Sequence, residues 1–150
     1  MPPRLGDFEG DWQLDRSIDD RRGGTDGRFT GHARFVPEGA VLVYHETGCL
    51  QMGESAFEAE QSHLWRTDGI RFKVCFGDGR PFHDFEAGIQ TPVARHHCSP
   101  DLYVVRYDFT AWPNWVAEWT VTGPRKDYVM VSRYTRSRNA LAAGKDRSAA

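Results

Sequence analysis

The chain has 150 residues, room for one domain and hardly for two. Its 19 Lys and Arg against 21 Asp and Glu leave a formal net charge of −2, which argues against nucleic acid as the main partner, since phosphate contacts need a basic surplus. A mean hydropathy of −0.61 combined with 13% aromatic residues points to an aromatic core inside a charged shell and excludes a disordered chain.

Turn signals rich in Gly, Pro, Asp and Asn recur along the chain, and the segments between them alternate β-branched or aromatic residues with polar ones. The expected strands are 11–19, 28–36, 40–50, 55–66, 70–76, 80–85, 93–98, 101–110, 115–122 and 128–135. No segment shows a convincing helical period; the best chances are Ser55–Gln61 and the tail after Arg136. Residues 137–150 are mostly Ala, Ser, Lys and Arg and are expected to form a frayed or disordered end, leaving residues 1–136 as the domain. Short turns make successive strands antiparallel neighbours. Ten of them in one all-β domain suggest an up-and-down barrel, an architecture without exposed edges.

Tight turns fix register, and register fixes which side chains point inward. On the first strand Trp12, Leu14, Arg16 and Ile18 share a face. A turn at Glu38-Gly39 pairs Phe35 with Leu42, Ala33 with Tyr44 and Gly31 with Glu46, and sets His32 against His45 on the outside. A two-residue turn at Asp68-Gly69 pairs Thr67 with Ile70, Trp65 with Phe72, His63 with Val74 and Gln61 with Phe76. The same reading of Asp78-Gly79, as a type I′ turn, pairs Phe76 with Pro81, Val74 with His83 and Phe72 with Phe85. His63, Val74 and His83 then form one row, the imidazoles roughly 9–10 Å apart at their backbones. At Ser99-Pro100, Cys98 pairs with Asp101 and His96 with Tyr103, which turns His96 toward the face of Val105 and Tyr107 and turns His97 away. A four-residue turn over Pro124–Asp127 pairs Val121 with Met130, Trp119 with Ser132 and Ala117 with Tyr134, and sets Glu118 against Arg133.

The candidate ligand contacts are therefore Arg16, Glu46, Gln61, His63, Trp65, Phe72, His83, His96, Tyr103, Tyr107 and Trp119. Apolar walls with a few convergent polar groups describe a small-molecule pocket. Arg16 is the expected partner of Glu46, because a lone inward carboxylate is strongly unfavourable. Three inward histidines have the chemistry of a zinc or iron site. Their spacing forms no local motif, however, and histidines hydrogen-bonded within a polar lumen are the simpler reading. No metal or cofactor is expected. Cys98 beside His96 and Asp101 has the residue types of a nucleophile pair, but reads more simply as an inert, half-buried cysteine. His83, His96 and Glu46 are the candidates for acid–base chemistry, with Arg16 or Arg80 as a carboxylate partner; the competing role for Glu46 is a structural ion pair with Arg16. Gly123–Lys126 forms a basic turn at the mouth, and Trp112–Trp115 forms a lid, a rim or a packed corner.

Gly10-Asp11-Trp12 opening the first strand, the many short strands and a late arginine resemble the calycin superfamily, which includes lipocalins and fatty-acid-binding proteins. The resemblance implies a calycin-like barrel in which Trp12 packs across the base near Arg133 or Arg136. One calycin relative binds haem through a late-strand histidine; Tyr128–Thr135 holds none, so haem is not expected. The chain also resembles an uncharacterised bacterial and fungal family of small proteins. That resemblance rests on Phe8–Trp12, Tyr44–Glu46, Val74–His83, His96–Tyr103, Gly123–Tyr128 and Tyr134–Arg136, so it spans residues 8–136. It implies one domain and transfers no activity.

Cys49, Cys75 and Cys98 are odd in number and lack a CxxC spacing, and Met1–Asp7 is not an apolar leader, which fits the reducing cytoplasm; a bacterial protein is what the family resemblance implies. No apolar run approaches the ~18 residues of a membrane-spanning helix. The expected function is a cytoplasmic barrel that binds a small, partly apolar or aromatic ligand. The alternatives are a lyase, isomerase or hydrolase using the luminal His, Glu and Arg, and a filled barrel acting through its surface or as a homodimer.

Overall fold

Alternating side chains and glycine-marked turns give ten strands in the computed structural model, which describes residues 1–137. The strands are β1 (Gly10–Asp20), β2 (Asp26–Glu38), β3 (Val41–Met52), β4 (Ser55–Asp68), β5 (Arg71–Phe76), β6 (Pro81–Glu86), β7 (Val93–Cys98), β8 (Asp101–Asp108), β9 (Trp115–Thr122) and β10 (Asp127–Arg136). Ser55–Gln61 is strand, part of β4. One 3₁₀ turn, Leu5–Phe8, precedes β1. Each strand pairs antiparallel with its neighbour, and β1 pairs with β10. The order runs β6-β5-β4-β3-β2-β1-β10-β9-β8-β7, an up-and-down barrel closed except at a seam where β6 and β7 share no ladder. The expected tail beyond Ser137 lies outside the described residues. Ser137 itself is buried, and its N–H donates to Asp11 O at 3.2 Å.

Several registers differ from expectation by two residues. Gly39, Gly53 and Gly69 have φ of +62°, +60° and +59°, and no described non-glycine residue has positive φ. Each is thus the first of its two turn residues, as a type II′ turn requires. Read with glycine second, the turns fall one residue early. The actual turns are Gly39-Ala40 and Gly69-Ile70, which leaves Ile70 68% exposed. Phe35 accordingly pairs with Tyr44, Ala33 with Glu46, Arg34 with His45 and His32 with Thr47. His63 pairs with Phe76, Trp65 with Val74 and Thr67 with Phe72, so His63 and His83 do not share a row. The last hairpin also slides by two, because Asp127 pairs with Thr122 and the loop is Gly123–Lys126. Trp119 faces Met130, Ala117 faces Ser132, and Val131 rather than Arg133 faces Glu118. A slide of two changes neighbours and preserves faces, since strand side chains alternate with period two. Gly31 faces Gly48, not Glu46: a Cβ on Gly31 would lie 2.1 Å from Thr47 O, so the backbones approach where only glycine fits.

The β5–β6 hairpin departs differently. Gly79 has φ +92°, its N–H donates to Phe76 O, and Phe76 N–H donates to Arg80 O. This is a three-residue loop ending in a left-handed glycine, in place of a type I′ turn. Val74 still faces His83 and Phe72 still faces Phe85, but Cys75 faces Pro81, so Phe82 is an extra residue in a bulge.

The base of the barrel is filled. Phe8, at the end of the 3₁₀ turn, is fully buried with its ring 4.9–6.3 Å from those of Trp112, Trp65, Trp115, Phe35, Phe109 and Phe72. Trp12 Nε1 donates to Phe8 O at 2.9 Å. The Arg136 guanidinium lies 3.8 Å over the Trp12 ring and donates to Glu9 O and Asp7 O. Arg136 thus fills the role the calycin resemblance implies, and Arg133 is exposed. Trp112–Trp115 is a packed corner, with Trp115 buried against Phe8.

Candidate ligand cavity

Above this base the barrel is hollow. A cavity of about 720 Å³ is lined by Arg16, Glu46, Gln61, His63, Trp65, His83, His96, Tyr103, Tyr107 and Trp119, among others. Phe72 is the one sequence candidate placed elsewhere. It lies in the filled base against Phe8 and Phe85, because the two-residue slide sets it beside Thr67 and not Trp65.

A polar network lies across β1, β3 and β10. Arg16 donates from both terminal nitrogens to Glu46, at 2.8 and 3.0 Å, and from Nε to Ser132 Oγ at 2.7 Å. Tyr44 Oη donates to Glu46 Oε1 at 2.6 Å and lies 2.9 Å from Tyr134 Oη. Burial alone would raise the Glu46 pKa, but hydrogen bonds and charge from Arg16, with help from Tyr44 and Gln61, hold it below 4.5. Burial likewise opposes the charge on Arg16, and the Glu46 hydrogen bonds, with the nearby acidic groups, outweigh it and raise its pKa. The result is a bidentate pair with both charges retained and mutually cancelled. Tyr44 and Tyr134 were not among the candidates, although both fall on inward positions of their strands. Burial raises the phenol of Tyr134 to about 12.

The histidines come from β4, β6 and β7, and His63 adjoins the network as the ladder partner of Tyr44. His83 is 7% exposed, and its Nε2 lies 2.7 Å from Tyr107 Oη; the tautomer sets which of them donates. Burial, followed by the neighbouring His63 and His96, lowers its pKa to about 3. Burial also lowers the pKa of His63, against an opposing pull from Glu46. Both rings are therefore neutral near pH 7. The Phe82 ring stands within 5.4 Å of all three imidazoles: 5.4 Å from His63, 4.6 Å from His83 and 5.2 Å from His96. Among the described residues no three His, Cys, Asp or Glu side chains gather as a metal site. Phe82 was invisible to the alternation rule, which points it outward. The bulge sets Phe82 and His83 together against Val74 and brings both to the lumen.

The remaining motifs have local partners. Cys98 is exposed rather than half-buried, because it ends β7 at the Ser99-Pro100 turn. Its would-be third partner, Asp101, is held by Lys126 Nζ at 3.1 Å. Lys126 also donates to Tyr103 Oη at 2.9 Å, so the basic turn at the mouth is engaged by its neighbours. Arg80 donates to Asp78 at 2.7 Å and covers the Phe76 ring. Among the described residues no helix is long and apolar enough to cross a membrane.

A ten-stranded antiparallel barrel, floored by a first-strand Trp under a late Arg and hollow above, has the calycin-like class of fold. Within that class the chain belongs to the family described as a family of unknown function, DUF6314, which matches residues 8–136. Among solved structures it is similar to an S-type phycobiliprotein lyase, CPES, from Guillardia theta. The TM-score is 0.64 and the identity 11%, over 89% of this chain and 90% of that one, so the likeness is one of fold. No curated protein matches the sequence.

Proposed function

We propose that the protein binds a small, flat, partly apolar ligand in the upper lumen. The observation that carries this reading is the cavity of about 720 Å³ above a fully packed base. Small-molecule sites run to about 300–1,000 Å³ with mostly apolar walls and a few polar groups. Near-parallel rings offer a stacking platform: Phe82 on Trp119 at 5.1 Å and 7°, on Phe76 at 4.4 Å and 21°, and on His63 at 5.4 Å and 19°. The part of the ligand that enters is uncharged, because Arg16 and Glu46 neutralise each other and the buried imidazoles are neutral. The use of the same fold by a phycobiliprotein lyase supports a working lumen over a filled scaffold.

Binding is preferred to catalysis because Glu46 is fully engaged by Arg16, Tyr44 and Gln61 and is not free to take a proton. The free, exposed thiols of Cys49 and Cys98 fit a reducing, cytoplasmic setting. The test is a fluorescence titration with the neutral aromatic probe N-phenyl-1-naphthylamine. The wild type should bind it saturably at one site. Met130→Trp, which fills the lumen from β10, should weaken it by about tenfold or more, the loss of roughly 1.4 kcal/mol of contact. Equal binding by a Met130→Trp variant with an unchanged circular dichroism spectrum contradicts the reading, as does a wild type that shows no saturable binding.

A further inference from the structure

The seam between β6 and β7 opens a second cavity, of about 390 Å³. Its walls come from both faces of the barrel. Val74, Phe82 and His83 contribute from within, and these three also line the main lumen. Arg66, Lys73 and Arg95 contribute from outside. The two cavities are thus separated by a partition that includes the bulge residue Phe82 and the buried His83.

The charge here is unbalanced. Arg66 stands directly opposite Lys73 across the β4–β5 ladder, an arrangement of like charges that disfavours pairing. Arg71 is paired with Asp84 at 2.5 Å, and Lys73 reaches Asp68 at 3.3 Å. Arg66 and Arg95 form no ion pair among the described residues. A second, independent feature marks the same place: His83 Nδ1 is buried and has no hydrogen-bond partner. A buried polar atom left unpaired is unfavourable unless something else satisfies it.

We propose that the β6–β7 crevice is a subsite for an oxyanion carried by the luminal ligand, such as a carboxylate or phosphate substituent on its aromatic body. Arg66 and Arg95 hold the anion at the seam, and His83, in the tautomer that carries its proton on Nδ1 and accepts at Nε2 from Tyr107, donates to it from the partition. The lumen has no cation to spare, so an acidic group on the ligand finds its countercharge here. This inference rests on the luminal reading above and adds the chemical class of the ligand: an aromatic acid in place of a neutral ring.

The experiment compares N-phenyl-1-naphthylamine with 8-anilinonaphthalene-1-sulfonate, which has the same two ring systems and an added sulfonate. The variant is the double change Arg66→Gln and Arg95→Gln. A control, Arg28→Gln with Arg34→Gln, removes two exposed cations from β2. The crevice variant should lose about tenfold or more in sulfonate-probe affinity, the scale of one charge-assisted hydrogen bond, along with most of its salt dependence. Its affinity for the neutral probe should be unchanged, and the control should bind both probes as the wild type does. Sulfonate binding that is unchanged in the crevice variant, or weakened equally in the control, overturns the crevice while leaving the lumen intact. Equal loss of both probes in the crevice variant overturns it as well. A wild type that fails to bind the neutral probe overturns the luminal reading, and this inference with it.

Discussion

Glu46 is 2% exposed and accepts hydrogen bonds from Arg16 and Tyr44. Removing one partner of such a pair strands the other charge, at a cost of about 3–5 kcal/mol. Glu46→Gln should therefore destabilise the fold by that amount in denaturant titration, and Arg16→Met with Glu46→Leu should recover much of the loss. His83 makes the opposite kind of prediction. Its pKa is about 3 in the folded barrel against 6.5 ordinarily, so between those values the unfolded chain binds more protons. Stability falls on acidification through that window, and the lowered pKa of His63 acts with the same sign. From pH 6.5 to 4.5, two pKa units below the ordinary histidine value, the wild type should lose about 2–3 kcal/mol and His83→Gln distinctly less. Glu46 contributes its own loss only as pH falls below its ordinary 4.5 and through its depressed folded value. Denaturant unfolding at the two pH values, in both proteins, checks this. Arg16 and Glu46 were legible in the sequence because each falls on an inward face and neither is tolerable there alone. Phe82 was not, because a bulge residue obeys its neighbour's pairing and not the alternation.

At the scale of elements, the strands were read correctly from turn residues and alternation, including the faces of β1, β7 and β8. The slides by two in three hairpins arose from turn chemistry. A glycine after an acidic residue reads as the second turn residue, whereas Gly39 and Gly69 occupy the first. Such slides leave His63 and Trp119 facing inward but move Phe72 from the cavity wall to the base. The 3₁₀ turn Leu5–Phe8 was missed, since four residues carry no periodic signal. It nonetheless closes the barrel. Phe8→Ala should cost about 3–5 kcal/mol, as loss of a fully buried Phe does. Thermal unfolding followed by circular dichroism will read that loss as a lowered midpoint, with the far-ultraviolet spectrum of the folded state retained.

For the whole molecule, the contrast between a polar average and a heavy aromatic load resolves into two halves of one barrel. The lower half spends its aromatics on packing: Phe8, Trp12, Phe35, Phe72, Phe85, Phe109 and Trp115 leave no lumen there. The upper half spreads Phe76, Phe82, Trp119 and three histidines around open space. Composition alone cannot distinguish these uses, because the difference lies in which level of the barrel each strand residue reaches. The balanced charge of the chain also hides a local surplus at the β6–β7 crevice, which Arg66 and Arg95 both line. The central claim is that the upper lumen is a binding site. Its most direct test is a crystal structure of the protein grown with N-phenyl-1-naphthylamine. The account predicts the probe's rings inside the barrel, stacked among Phe82, Trp119 and His63. A lumen closed by side chains, with the probe absent or bound only on the outer surface, would contradict it.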